Sequence, residues 1–299
     1  MKNSRIADLV LILAVAMWGS TYYVIKHELA GVEPFMLNAI RFGISSVIIL
    51  LVFRKRLSLE RKTLKFGAIL GLLMFTFYLT GAFGARLTTV SNAGFLCCLA
   101  VIITPLIEFF VIKKKIEKKI AIIAALTLIG VGCLTLGGEF TFGIGDIICI
   151  ACSFAFAVNI IVTEKAVQEE NLDPIAIASI QVVIVCVLSF LFSVVFEKNA
   201  ISVASTREIV ALLYLAIFCT AFTAVAIPSC QKYTTASRMG IIGSFESLVS
   251  AIVGFIFAGE RLGVVGYIGA LILFLCIISM EIDFESLIGR YRGKPVKRQ

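Results

Sequence analysis

Histidine, tryptophan and proline are scarce in this 299-residue chain, which holds one His, one Trp and five Pro. A single histidine cannot build a multi-histidine metal centre, because such sites take two or three imidazole ligands. The sequence also contains no G-x-x-x-x-G-K-[ST] phosphate loop, which argues against a pump driven by ATP. Charged residues make up only 15% of the chain. These scarcities argue against the usual soluble metalloenzymes and nucleotide hydrolases.

Apolar residues are abundant instead, at 60% of the chain, and the mean hydropathy is +1.04. Because a helix needs about 20 consecutive apolar residues to cross a bilayer, this composition predicts an all-α polytopic membrane protein with ten transmembrane helices. We place them near residues 7–26, 34–53, 64–83, 88–112, 119–137, 143–163, 174–196, 208–229, 236–257 and 264–280. The connections between these windows are too short to hold a soluble catalytic or nucleic-acid-binding domain.

Basic residues are distributed unevenly between the two predicted faces of the membrane. Lys and Arg accumulate in 54–65, in 113–119 and in the tail 284–299, and such enrichment is typical of cytoplasmic segments. We therefore expect both termini in the cytoplasm and a multi-pass location in the cell membrane. The connection after the sixth window is net acidic and fits this rule least well. The tail is explained by nearby anionic lipid headgroups, without nucleic acid.

The nine cysteines all fall in or at the edges of apolar windows. They are interpreted as small packing residues and not as a disulfide framework. Cys149-x-x-Cys152 is the spacing nearest to a metal or redox motif. It lies inside an apolar window with no obvious third ligand, so we expect neither a metal site nor a cofactor. The opening segment runs to full spanning length and is interpreted as a retained first helix, not a signal peptide.

Two internal alignments indicate a repeated architecture. The segment from Asp8 aligns with the segment from Asp146, pairing Trp18 with Phe156, and a later pair of segments aligns Gly94 with Gly240. Each repeat then holds five spans, an odd number, so the second copy must enter the membrane from the opposite face. We predict repeats at 1–138 and 139–283, followed by the tail. Inverted repeats of this kind are typical of secondary transporters, whose substrate site lies between the repeats.

Several segments resemble the EamA-type families of the drug/metabolite transporter superfamily. They are AMWGSTYYVIK, PFMLNAIR, TTVSNAGFLCCLAVIITPLIEFF and SFESLVSAIVGFIFAGERLGVVGYIGALILF, the last containing the GERL signature at 259–262. The first-half counterpart of GERL is KKKI, which departs from the pattern. Where many relatives have a Glu-Pro pair, this chain has Glu246-Ser247, which predicts a straighter ninth helix. The resemblance implies a ten-helix basket with a central cavity and the export of small molecules.

More than three residues from either end of the predicted spans, the charged side chains are Arg41, Glu108 and Glu246. At 1.5 Å per residue, Arg41 lies about 10 Å deep from one face and Glu246 about 15 Å deep from the other, in a core roughly 30 Å thick. They are therefore expected at similar depths. Charges within spans are usually functional. Glu108 lies close to Lys113, so it can instead snorkel or pair with the lysine run.

The candidate substrate or coupling residues share polar or aromatic character within apolar windows; they are Glu246, Arg41, Trp18, Asn38, Asn159, Gln181 and Tyr78. Asn38 lies three residues before Arg41 on one helix face, and Gln181 is the repeat counterpart of Arg41. An arginine can bind a substrate carboxylate, and a glutamate can bind an amine or exchange a proton. The alternative is that Arg41 and Glu246 pair with each other or with backbone to fix the fold.

These observations predict a secondary transporter that exports amino acids or related small metabolites by alternating access, with proton coupling as one option. A multidrug or cation exporter, or an uncoupled facilitator of the same fold, is the alternative within this class. A membrane enzyme is the alternative from another class, and the scarcity of catalytic side chains disfavours it. The expected partners are a small-molecule substrate, membrane lipid and protons. The oligomeric state, monomer or homodimer, stays open.

Overall fold

The computed structural model describes residues 2–87, 96–135, 143–197, 205–257, 259 and 263–281. The start of the fourth predicted span, the GERL signature apart from Gly259, and the basic tail lie outside these described residues. Helices account for nearly all of the described chain, in agreement with the predicted all-α class.

The described residues of the first half of the chain form five α-helices. They are α1 (Lys2–Tyr23, continued by a π-helical turn Val24–Glu28), α2 (Pro34–Val52), α3 (Arg61–Leu87), α4 (Ala100–Phe110) and α5 (Lys118–Thr135). Helix α2 begins at a proline because that residue lacks the N–H that a first helical turn leaves unpaired. The next two N–H groups, of Phe35 and Met36, donate to the Glu197 carboxylate at 2.7 and 2.9 Å.

The helices described in the second half of the chain are shorter and more often interrupted. Its helices are α6 (Ile144–Glu164, continued by a π-helical turn Lys165–Glu169), α7 (Pro174–Phe196), α8 (Thr206–Ala216), α9 (Thr223–Gln231), α10 (Ala236–Gly243), α11 (Phe245–Phe257) and α12 (Val264–Glu281). A π-helical segment, Ile217–Phe222, joins α8 to α9. Asp173 caps α7 by accepting from the Ile175 N–H, and Ser205 caps α8 by accepting from the Glu208 N–H.

Within the described part of the chain, seven helical stretches are long and apolar enough to cross a bilayer. They are Ile6–Glu28, Pro34–Val52, Arg61–Gly84, Ile144–Glu169, Pro174–Phe196, Thr206–Gln231 and Ala236–Phe257, with shorter apolar helices at Ala100–Phe110 and Val264–Cys276. The protein is therefore a polytopic membrane protein. The count of ten spans and the inverted relation of the repeats stay predictions.

The stretch predicted as one ninth helix is interrupted at Ser244, although no proline lies there. The Ser244 hydroxyl donates to the Ile241 carbonyl at 2.6 Å, and helix α11 restarts at Phe245. A serine that bonds back to its own helix competes with the regular backbone pattern, which accounts for the break. Glu246 therefore lies in the first turn of a new helix, not in the middle of a long one.

Helix α3 packs against α6 and α7, α2 packs against α7, and α1 packs against α11. The glycine spacing Gly67-x-x-x-Gly71 permits the α3–α7 contact. A Cβ atom at Gly67 would lie 2.7 Å from Cβ of Ile180, and one at Gly71 would lie 2.9 Å from Cβ of Ile184. These two glycines therefore act as packing residues. Helices α5 and α12, both without charge in their central turns, pack mainly against each other.

Candidate functional site

A small cavity lies between α1, α3, α6, α7 and α9. Its volume is about 20 Å³, which is enough for a water molecule. A pocket that encloses a small organic ligand usually measures about 300–1,000 Å³. In the conformation described, this cavity is therefore too small to enclose a small organic ligand.

One wall of the cavity is aromatic and consists of Trp18, Phe77 and Phe156. Phe77 and Phe156 stack with ring centroids 4.9 Å apart, and Trp18 meets Phe156 edge to face at 5.9 Å. The indole N–H of Trp18 donates to the Cys219 carbonyl at 3.1 Å. The ring of the only tryptophan is thereby fixed in place at the centre of the protein.

The other wall is polar but uncharged, and it consists of Asn159, Thr163, Gln181 and Thr223. The side-chain amide nitrogens of Asn159 and Gln181 both approach the Leu70 carbonyl, at 3.2 and 3.5 Å. The carbonyl oxygen Oε1 of Gln181 is buried and has no hydrogen-bond partner among the described residues. This wall can therefore accept a hydrogen bond from a bound molecule.

Arg41 lies outside the cavity lining, although it is only 1% exposed. Its Nε donates to the Thr220 hydroxyl at 2.8 Å, and an Nη atom approaches the Cys219 carbonyl at 3.4 Å. The guanidinium also lies over the ring of Tyr78, 5.0 Å from its centroid. Arg41 is thus held by neutral groups and an aromatic face, and it contributes a buried positive charge beside the cavity.

The π-helical segment Ile217–Phe222 connects Arg41 to the cavity. Its Cys219 carbonyl accepts from Trp18 and from Arg41, and also from the Thr223 hydroxyl at 2.9 Å. Wider turns of this kind are rare and occur frequently at functional sites. Sequence reasoning missed this segment. The available signal was the pair Thr220 and Thr223, two hydroxyls three residues apart in an otherwise apolar window.

Glu246 lies half-buried at the start of α11 and does not line the cavity. The side chain of Tyr22 on α1 lies next to its carboxylate. No ion pair among the described residues involves Glu246 or Arg41. Both charges nevertheless act electrostatically on the hydroxyl of Tyr78. A buried cation and a carboxylate therefore flank the same region without neutralising each other directly.

The structure brings three of the seven candidate residues together, since Trp18, Asn159 and Gln181 line one cavity. Arg41 and Tyr78 contact each other next to it. Asn38 is buried on α2 and lies outside the cavity lining. Phe77, Phe156 and the threonines of the polar wall were not among the candidates, because phenylalanine and threonine are too common in spans to stand out in sequence.

Glu108 belongs to a separate ionic cluster. It is 4% exposed, and Lys114 donates to its carboxylate at 2.8 Å and to that of Glu164 at 2.9 Å. The same two carboxylates accept from the Ser237 hydroxyl and the Ala236 N–H at the start of α10. Burial lowers the pKa of Lys114, but the two carboxylates raise it by more. The predicted pairing with the lysine run thus occurs, with Lys114 as the partner.

Bilayer-length helices around a small central cavity are typical of membrane transporters. All nine cysteines are free thiols. No group of three His, Cys, Asp or Glu side chains that could hold a metal ion occurs in the part of the chain that the structure describes. The bilayer-length helices define the class of protein as a multi-pass membrane protein.

The chain belongs to the EamA-like transporter family, whose profile matches residues 5–136 and 143–281. The resemblance predicted from the sequence segments is thereby confirmed. An uncharacterized transporter of Archaeoglobus fulgidus is 30% identical over 276 residues, which cover 92% of this chain and 86% of that relative. The uncharacterized transporter YoaV of Bacillus subtilis is 22% identical over 281 residues, covering 91% and 94% of the two chains.

The fold is also found in a solved structure. One crystal structure superposes with a TM-score of 0.79 at 16% sequence identity and covers 92% of this chain and 96% of its own. The family and the names of the relatives point to transport and not to catalysis.

Proposed function

We propose that this protein is a secondary transporter that exports amino acids or related small metabolites across the cell membrane. The observation that carries the proposal is a closed cavity with an aromatic wall and a neutral polar wall, flanked by Arg41 and Glu246. A zwitterion has no net charge, so it suits a site with one buried cation and one carboxylate nearby. Export is the direction that the family resemblance implies.

Alternating access between two inverted five-helix repeats is the proposed mechanism. The match of the family profile to two separate segments, 5–136 and 143–281, supports two repeats. The small volume of the cavity supports an occluded intermediate, because a substrate could enter or leave only after the helices around it separate. Both termini would face the cytoplasm in this arrangement.

We also propose that Glu246 couples transport to protons. It is the only acidic residue of α11, it lies half-buried in a spanning helix, and it contacts Tyr22 on the neighbouring helix α1. A carboxylate in a membrane span is costly to keep ionised. Such residues are therefore usually functional. A proton on Glu246 would remove its charge and change its contact with α1, so proton binding can alter the α1–α11 contact.

The test is transport in proteoliposomes loaded with labelled compounds from three classes: neutral amino acids, nucleobases and quaternary ammonium ions. We expect counterflow of at least one neutral amino acid. We expect a pH gradient to accelerate net flux in the wild type but not in Glu246→Gln, which should retain exchange. Glu117→Gln, which changes an exposed glutamate in a connection, is the matched control.

Each outcome of this assay decides one part of the proposal. An unchanged pH response in Glu246→Gln would rule out proton coupling through that residue. Flux of the ammonium ions alone would favour the cation exporter, which the aromatic wall also suits, since aromatic faces attract cations. Exchange without any response to a gradient would favour a facilitator.

A further inference from the structure

The polar wall of the cavity offers a ligand more hydrogen-bond acceptors than donors, because most of its donors already bond to protein groups. The amide nitrogens of Asn159 and Gln181 face the Leu70 carbonyl of α3. The hydroxyl of Thr163 donates to the Asn159 carbonyl at 2.8 Å, and that of Thr223 donates to the Cys219 carbonyl at 2.9 Å. What remains toward the cavity is rich in oxygen lone pairs.

Within the described part of the chain, Gln181 is the residue of this wall whose buried side-chain oxygen lacks a hydrogen-bond partner. It is only 2% exposed, and its Oε1 has no partner among the described residues. The contact of Nε2 with the Leu70 carbonyl sets the orientation of the amide, so the oxygen is directed away from α3. A buried acceptor without a partner is unfavourable. A water molecule in the cavity can satisfy it, and a ligand that displaces this water must supply a donor.

The aromatic residues of the same lining favour the same kind of ligand. Trp18, Phe77 and Phe156 present aromatic rings, which attract cations and cover apolar groups. The described lining contains no Lys or Arg side chain. An ammonium group therefore finds acceptors among the polar groups of the lining and ring faces among the aromatic ones, whereas each amide has at most one further N–H to offer a carboxylate.

We propose that Gln181, with Asn159, Thr163 and Thr223, forms a subsite that binds the primary ammonium group of the substrate, with Gln181 Oε1 as its specificity-determining acceptor. The inference rests on the proposed function in so far as the substrate is an amino acid or a related metabolite. It adds the orientation of that substrate: the amino group faces α6, α7 and α9, and the apolar side chain faces Trp18. A free carboxylate is not required for binding in this subsite.

Trp18 provides a built-in reporter, since it is the only tryptophan of the chain and lines the cavity. The experiment follows its fluorescence while purified protein in detergent is titrated with phenylalanine, phenylalaninamide and N-acetylphenylalanine. We expect phenylalanine and phenylalaninamide to change the emission. N-acetylphenylalanine, which lacks the ammonium group, should bind at least about tenfold more weakly. Equal binding of the acetylated and amidated compounds, or no response to either amine, would overturn the proposal.

A substitution assigns the effect to Gln181. Gln181→Met removes the acceptor at similar volume, and we expect about a tenfold loss of affinity for phenylalaninamide together with loss of its preference over N-acetylphenylalanine. Ser189→Ala, a buried residue of the same helix outside the cavity lining, should bind as the wild type does. Gln181→Glu keeps an oxygen and should preserve selectivity for amines, which covers the case that Gln181→Met does not fold. Wild-type selectivity in Gln181→Met would contradict the assignment.

The two proposals fail separately. Amino-acid flux in proteoliposomes without any preference for amines would overturn the subsite and leave the transport function intact. Selective binding of amines without amino-acid flux would support the subsite and contradict the proposed substrate class.

Discussion

Arg41 is a buried cation whose partners are neutral. Thr220, the Cys219 carbonyl and the ring of Tyr78 surround its guanidinium. The planar, forked group can satisfy all three contacts at once, which a lysine ammonium cannot. At the scale of the residue, Arg41 therefore joins α2 to the π-helical segment.

Removal of one of these partners should destabilise the protein measurably. Thr220→Val replaces the hydroxyl with a methyl group of similar volume and leaves the Arg41 Nε without its acceptor. We expect a loss of about 1–3 kcal/mol in the free energy of unfolding, because a buried charged donor would be left unpaired. Thermal unfolding in detergent, followed by circular dichroism, measures the effect.

Thr76→Val is the matched control for Thr220→Val. The Thr76 hydroxyl donates to its own helix at Leu72 in an exposed position, so its loss should change little. An equal decrease in both variants would show that Thr220 has no special role in holding Arg41.

Helix contacts around Glu246 depend on the absence of a side chain on α1. A Cβ atom at Gly19 would lie 2.7 Å from the Glu246 carbonyl oxygen and 2.7 Å from Cβ of Val249. The backbones of α1 and α11 thus meet at the turn that carries Glu246. At the scale of the element, this close approach fixes where the carboxylate lies relative to Tyr22.

Gly19→Ala should therefore force α1 and α11 apart. Overpacking of this kind typically costs about 1–3 kcal/mol, and we expect a lower midpoint of thermal unfolding together with slower transport. Gly31→Ala is the matched control, because no atom lies within 4 Å of the Cβ position at Gly31. A fully active and stable Gly19→Ala variant would contradict the tight α1–α11 contact.

Most of the described ion pairs gather at one end of the bundle, which the sequence predicts to be cytoplasmic. They are Asp8–Arg238, Arg56–Asp173, Lys62–Glu170, Lys114–Glu108 and Lys114–Glu164. Arg207 and Glu28 pair at the opposite end. At the scale of the molecule, we expect these links to keep the predicted cytoplasmic end closed.

Lys114→Met should favour opening of that end. The substitution removes the cation shared by Glu108 and Glu164 and leaves two carboxylates near each other. We expect maleimide to label Cys230, which is 7% exposed, several-fold faster than in the wild type, as measured by peptide mass spectrometry. Lys62→Met breaks an exposed pair and should leave the labelling rate unchanged, since exposed pairs contribute little. Equal rates in all three proteins would mean that Lys114 does not hold this end closed.

The sequence by itself determined the class of protein and the approximate positions of its helices. Hydropathy and the need to satisfy backbone hydrogen bonds within each span are local properties, so they can be obtained from consecutive residues. The same argument singled out Trp18, Asn159 and Gln181, because polar and tryptophan side chains are unusual in mid-span. The family followed from short segments such as PFMLNAIR.

Only the tertiary structure decided which of these side chains meet. Arg41 and Thr220 are 179 residues apart, and nothing in two equally apolar helices predicts that they share a contact. The π-helical segment and the interruption at Ser244 also escaped prediction, because each depends on side-chain hydrogen bonds that a regular helical pattern does not encode. The orientation of Gln181 comes from its contact with a backbone carbonyl of α3, so the character of the cavity is a property of packed helices and not of any single one.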